Sequence, residues 1–405
     1  MPRVRAADAP RVVHRCARIA LRTTTAQRRR LFAQLVAGGD VWAWVLALNE
    51  ARVAGGEERI VSYQALCREL SARGRASSNE LSVSAARSVL RRYCDACFAV
   101  ARARRAGDER APFPRRRRHL VPVCFYTGTF SLLGQQLRLA VAAGSPPLRV
   151  RLARQVPYPP DTLRSVTLRE EAGRLYVGVC AEVPVAGYEE GLAPDAERVG
   201  GVDLGVIHPY ALAGADRVGL VVSGRALTAE SRLHLAERRA RSRAVAARAP
   251  AKGQRGSRRW RKYRRRSACL EARHGRRLHQ AAKVLVGFAL EQRIGTLVVG
   301  DPVGVLDLRA GRRHNQRLRD WRVGELKSAL FDKAEAAGIT VVVVDERGSS
   351  SSCPRCRQRV PKPKGRCFSC PYCNLVGHRD LVAAVNIAAR FESGGEPVSM
   401  PDTTT

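Results

Sequence analysis

Along the chain, the spacing of apolar and polar positions changes from one stretch to the next, and each change marks an element. Residues 12–22, "VVHRCARIALR", alternate apolar and basic side chains, as on a strand with one buried face. Over 25–52 the period lengthens. Leu31, Leu35, Trp42, Val45, Leu46 and Leu48 recur at helical spacing, and "AGGD" at 37–40 predicts a break between two helices. A further helix is predicted from Ser82 to Arg105, with a basic face. It carries Cys94 and Cys97, which read as core packing because no second pair lies nearby. Strand character returns over 112–130, and 163–185 reads as a hairpin with Gly173 near its turn. A Gly/Pro-bearing linker, 186–198, follows. Beyond it "RVGGVDLGVIHPYALAG" reads as strand, turn and strand, ahead of a long basic segment, 237–295. A buried strand "TLVVGD", a helix through "VGELKSALFDKAEAAG" and the strand "ITVVVVDE" complete the pattern. Helix–strand alternation of this kind predicts a sheet with parallel elements. The tail after Phe391 is polar and predicted to be disordered.

The charge balance adds a partner class. The chain has 405 residues, room for two or three domains, and sets 72 Lys and Arg against 36 Asp and Glu, a net charge of +36. So much charge of one sign repels itself in a compact protein, and a polyanion is the simplest compensation. Arginine forks match phosphates bidentately, which points to nucleic acid. No apolar run approaches the ~20 residues that span a bilayer. The N-terminus lacks the apolar core of a secretory signal. The expectation is a cytoplasmic, nucleoid-associated protein without a membrane partner, whose twelve cysteines stay reduced.

Four of those cysteines form the strongest local motif. Cys353, Cys356, Cys370 and Cys373 make two C-x-x-C knuckles that fit a tetrahedral zinc ribbon. Four thiolates leave no open position for a catalytic water, so the zinc reads as structural. Cys367 also precedes Cys370 in C-x-x-C spacing, so a swapped ligand stays open, while Phe368 reads as packing under the knuckle. Asp203, in "GVDLGV", and Asp380, opening the helix "HRDLVAAVNIAAR", each read alone as ordinary turn and N-cap chemistry. The strand end "VVVVDERGSSSSCPRC" sets Asp345 and Glu346 beside the first knuckle. Within 255–266, Trp260 and Tyr263 interleave with Arg258, Arg259, Lys262 and Arg264, a candidate nucleic-acid contact with stacking aromatics.

The order of these parts is specific: an acidic first strand, basic helices, an acidic strand end, a zinc ribbon, then "HRD" opening a helix. It resembles the RuvC-like, RNase H-fold nuclease of the TnpB family, the RNA-guided proteins of insertion sequences related to type V CRISPR effectors. "FSCPYCNLVGHRDLVAAVNIAAR" is similar to that family's ribbon-to-helix junction, "GVDLGV" to its first acidic motif and "HNQRLRDWRVGELKSALFDKAEAAGI" to the helix before its third core strand. More weakly, "RIALRTTTAQRRRLFAQL" and "WAWVLALNEAR" resemble its opening.

The resemblance implies a β-barrel-like wedge domain (1–24 and 112–190) with a helical recognition insertion (25–111). It further implies a RuvC-like α/β domain (197–346 and 377–392), an inserted zinc ribbon (347–376) and a tail (393–405). It implies metal-dependent DNA cleavage, with guide RNA and target DNA as partners and two Mg2+ ions held by carboxylates. The family's second acidic strand usually ends in Glu, whereas Gly300 stands here, followed by Asp301. Neighbouring strand residues point to opposite faces, so Asp301 is the alternative catalytic residue rather than the first choice. The catalytic set expected is Asp203, Glu346 and Asp380, with Asp203 bridging both ions, and Asp345 a further alternative to Glu346. Rival readings are a nuclease-inactive guided repressor and an unguided zinc-ribbon nucleic-acid-binding protein.

Overall fold

The computed structural model describes residues 11–74, 80–116, 118–214, 216, 218–246, 249–251, 256–302, 311, 315, 321–361 and 365–392. The tail expectation for 393–405 lies outside them. The chain divides into two compact units, one built mainly from His14–Val183 and the other from Pro184–Ala247 and Arg266–Pro401.

The first unit begins with β1 (Val12–Arg22), which leads into α1 (Thr25–Ala54), α2 (Tyr63–Ala72) and α3 (Val83–Arg105). Six strands follow: β2 (Val123–Tyr126), β3 (Phe130–Leu133), β4 (Gln136–Leu139), β5 (Leu148–Leu152), β6 (Leu163–Glu171) and β7 (Arg174–Pro184). They form a seven-stranded sheet in the order β2-β6-β7-β1-β5-β4-β3. The pairs β2·β6, β6·β7, β1·β5, β5·β4 and β4·β3 are antiparallel. Helices and sheet share one apolar core, which includes Ile19, Leu31, Trp42, Tyr93, Val123 and Val177. Cys94 and Cys97 are buried in that core.

A capping box starts α1: the Thr24 hydroxyl accepts from the Gln27 N–H, and the Gln27 side chain accepts from the Thr24 N–H. The break expected at "AGGD" is absent, and α1 runs unbroken through it. A Cβ on Gly39 would lie 2.4 Å from the His119 carbonyl oxygen, and one on Gly38 3.0 Å from Val123. The glycines therefore admit the 118–123 segment against the helix, and this close approach outweighs their poor helix propensity. α1 is also long and apolar enough to cross a membrane by length and composition, contrary to the sequence reading. Its apolar residues Leu31, Leu35, Val41, Trp42, Val45 and Leu46 are buried in the core, as in the central helix of a globular unit.

The second unit holds a five-stranded sheet in the order β10-β9-β8-β11-β12. Its strands are β8 (Asp195–Asp203), β9 (Tyr210–Ala213), β10 (Gly219–Val222), β11 (Ile294–Asp301) and β12 (Thr340–Asp345). β8, β11 and β12 are parallel, with Val299 opposite Val202 and Asp301 opposite Asp345, so their carboxyl ends open on one edge. β9 and β10 return antiparallel. Among the described residues its helices are α4 (Arg225–Ala246), α5 (Arg258–Glu291, in this unit from Arg266 on), α6 (Val323–Ala336) and α7 (Arg379–Glu392). A short hairpin, β13 (Cys367–Ser369) with β14 (Val376–His378), precedes α7.

Glycine sets how closely α7 can seat. A Cβ on Gly201 would lie 1.9 Å from the Ala384 carbonyl oxygen, so only glycine lets α7 pack against β8. This contact brings the first turn of α7 to the end of β8. Gly205 makes the next turn tight, since a Cβ there would lie 2.6 Å from the His208 carbonyl oxygen.

Candidate active site and metal centre

The open edge of the five-stranded sheet is a crevice of about 670 Å3, lined by Asp203, Asp301, Asp345, Glu346 and Asp380 among others. Asp203 ends β8, Glu346 directly follows β12, and Asp380 sits in the first turn of α7. Burial, then the Asp380 charge, pushes the Asp203 carboxyl up to about 7, against the opposing pull of Arg379 and Arg366. Burial, then Asp203 and Asp301, pushes Glu346 up to about 8, with Lys327 opposing. Carboxyls raised together in this way are close enough to resist joint ionisation.

Asp380 is held differently. It is buried, and its Oδ2 meets His208 Nδ1 at 2.8 Å. Arg366 Nη1 donates to both of its oxygens, at 2.8 and 2.9 Å. The sequence reading missed both partners. His208 follows the acidic motif in "GVIHPYA" and reads there as a turn residue before proline, and Arg366 is one arginine among many.

The two alternative acids are otherwise engaged. Asp301 pairs with Lys327 Nζ at 2.6 Å. Asp345 is exposed, and its Oδ1 accepts from the Arg347 N–H at 2.9 Å, closing the turn. Glu346 has no such partner: its Oε2 is buried without a hydrogen bond. A Cβ on Gly300 would lie 2.8 Å from Ile387 Cδ1 on α7, and 2.9 Å from both that same Oε2 and Glu346 Cβ. The Glu346 side chain, with Ile387, thus fills the space into which a residue-300 side chain would project. An orphaned, buried carboxylate oxygen beside other carboxyls suits a hard dication that prefers oxygen donors.

Beside the crevice, Cys353, Cys356, Cys370 and Cys373 form a group able to hold a metal ion, with their sulfurs within 4.8 Å of one another. Cys353 faces Cys373 at 3.4 Å, and Cys356 faces Cys370 at 3.5 Å, close to what ~2.3 Å tetrahedral zinc–sulfur bonds require. Cys367 is exposed and outside the group. Phe368 is fully buried in a small core with Cys353, Val360, Cys370 and Val382. On α5, Arg258, Arg259, Lys262 and Arg264 are exposed, whereas Trp260 and Tyr263 are half-buried, their rings 5.8 Å apart.

Comparison with known proteins shows what this two-unit chain, with acids at the mouth of a mixed sheet and a four-cysteine knuckle beside it, is similar to. Over most of its length the fold matches that of Cas12f1 in a cryo-EM complex with sgRNA and target DNA. The TM-score is 0.66 at 12% identity, covering 93% of this chain and 99% of that one. The mini-RNA-guided endonuclease CRISPR-Cas_phi3 matches with a TM-score of 0.55 at 12% identity, over 96% and 94% of the two chains.

Residues 324–387 match the family model of the Cas12f1-like TNB domain. The TnpB-like protein MJ0751 of Methanocaldococcus jannaschii is 27% identical over 120 residues, 29% of this chain and 43% of that protein. The CRISPR-associated endodeoxyribonuclease Cas12f1 of Sulfoacidibacillus thermotolerans is 29% identical over 115 residues, 27% of this chain and 25% of that protein. The matched segments therefore span less than half of either curated relative. The chain is thus similar in part of its sequence to a TnpB-like protein and to a Cas12f1, and in fold to Cas12f1.

Proposed function

We propose that the chain is an RNA-guided DNA endonuclease, in which the five-stranded sheet is a RuvC-like, RNase H-fold nuclease. Asp203, Glu346 and Asp380 would hold the catalytic Mg2+. The observation that carries this reading is the Glu346 carboxylate, which lies over Gly300 with a buried, unpartnered oxygen and Asp203 close enough to raise it. In that position it takes over the role of the glutamate that the family's second acidic strand usually ends on. The named relatives, a TnpB-like protein and an endodeoxyribonuclease, support the same activity class.

When bound, a pair of Mg2+ ions would supply an activated water and stabilise the leaving oxygen of the phosphodiester. The chain's own residues do the rest. His208 and Arg366 fix the Asp380 carboxylate, so that one acid of the set stays in place and neutralised until a cation arrives. Lys327 draws Asp301 away from the set and leaves Glu346 to serve. Arg347, Arg359, Arg366 and Arg379 line the crevice together with the acids, and suit the phosphates of a nucleic-acid strand. The four cysteines would hold one structural Zn2+, and the exposed cations of α5 would contact the guide RNA or its duplex with target DNA.

The test is cleavage of a matched DNA by protein purified with its own RNA. Cleavage should require that RNA and Mg2+, and Asp203→Asn should abolish it while RNA stays bound. Wild-type protein that binds matched DNA through its RNA and leaves it uncut would instead make the chain a guided repressor. Protein that carries no discrete RNA would make it an unguided binder.

A further inference from the structure

One cluster at the edge of the crevice has the wrong donors for magnesium. His208, His378 and Asp380 each offer a ligand atom, and the three atoms lie within 4.8 Å of one another. His208 is nearly buried, and its Nδ1 lies 2.8 Å from Asp380 Oδ2. The His378 ring faces that of His208, centroids 5.4 Å apart and planes tilted by 56°. Its Nδ1 accepts from the Asp380 N–H at 3.3 Å, which ties the ring to the start of α7.

His378 and Asp380 are two residues apart, at the end of β14 and in the first turn of α7, and the turn after β8 brings His208 to them from 172 residues before Asp380. The fold therefore gathers them at one point. Two imidazoles and one carboxylate are a donor set for first-row transition metals, whereas Mg2+ takes oxygen donors and gives up its waters reluctantly.

We infer that His208, His378 and Asp380 form a binding site for a first-row transition-metal dication, separate from the four-cysteine group. The site shares Asp380 with the proposed nuclease centre, so it extends that reading: one cation position there is selective for metals that accept nitrogen. Arg366, which now donates to both Asp380 oxygens, is the charge that such a cation displaces.

Metal content decides it without any need for cleavage. Full-length protein is freed of loosely held cations with a weak chelator, equilibrated with Zn2+, and its bound metal counted. Wild type should hold two equivalents. His378→Ala and His208→Gln should each hold one and keep the cysteine-bound ion, which also reports that the protein is folded. Cys353→Ser should hold one as well, by loss of the other site. Bound Mn2+, followed by its electron paramagnetic resonance signal in a large excess of Mg2+, should persist in wild type and disappear in His378→Ala.

A single equivalent in wild type, or two that survive both histidine substitutions, overturns the inference. Asp203→Asn keeps it distinct from the nuclease reading: this variant should lose cleavage yet retain both equivalents. If it also falls to one, the second ion belongs to the carboxylate crevice and the histidine site is wrong. Wild-type protein that holds the second ion and does not cut would remove the nuclease reading and leave this site standing.

Discussion

Asp203 and Glu346 sit where burial and neighbouring carboxylates, Asp380 for the first and Asp203 and Asp301 for the second, hold their protons to about pH 7 and 8. Both folded-state values are raised above the unfolded ones. Without a divalent cation, their contribution to stability is therefore fully present below about pH 4 and is lost as pH rises through 7 to 8. For Asp203 the charges that set this are Asp380, Arg379 and Arg366; for Glu346 they are Asp203, Asp301, Lys327 and Asp345. In Mg2+-free buffer the urea midpoint of wild type should fall between pH 6 and 9. Asp203→Asn should flatten that fall and gain on the order of a few kcal/mol over wild type at pH 9. Urea titrations of both proteins across that range check it, and parallel curves would mean that burial and Asp380 do not raise Asp203. At this scale the sequence exposes the acids, because each ends a strand or opens a helix next to a recognisable motif. It does not expose their partners: only the fold shows that His208 and Arg366 serve Asp380 while Lys327 takes Asp301.

Among the elements, the long periodic ones are the easiest to read in sequence, since their apolar stripes are set by the same burial that the fold requires. The hairpin of β6 and β7 turns at Ala172 and Gly173, both at positive φ, and Gly173 is the glycine singled out from sequence. The glycine pair in α1 shows the limit. Local propensity reads a break, whereas the reason for these residues is a backbone 80 positions away, at His119, that must pass beside Gly39. Gly201 is a similar case with a functional consequence, because it seats α7 and hence Asp380 against β8. Gly201→Ala should destabilise the protein by roughly 1–3 kcal/mol or more, as overpacking against backbone that cannot yield does, and should lower cleavage by shifting Asp380. Gly275 on α5 has nothing within 4 Å of its would-be Cβ, so Gly275→Ala should raise stability by up to about 1 kcal/mol. Thermal melts of the two variants check the contrast, and equal effects would contradict the seating role of Gly201.

At the scale of the whole molecule, a net charge of +36 makes binding to a polyanion the dominant long-range property. Neutralising the exposed Arg258, Arg259, Lys262 and Arg264 should weaken RNA binding. It should also flatten the plot of log affinity against log salt, by about one unit for each phosphate that is no longer neutralised. Titrations of RNA at several salt concentrations check this, and an unchanged slope would make the segment a solvated face. The central claim, that Glu346 supplies the carboxylate expected from position 300, is tested most directly by moving it back. Guided cleavage with Mg2+ should be lost in Glu346→Ala by several orders of magnitude and survive in Asp345→Asn and Asp301→Asn. It should return in part when Gly300→Glu and Ile387→Ala are added to Glu346→Ala, because a side chain at 300 then projects into the space that Glu346 and the Ile387 Cδ1 vacate. Cleavage that persists in Glu346→Ala, or that is abolished by Asp301→Asn instead, would contradict the account.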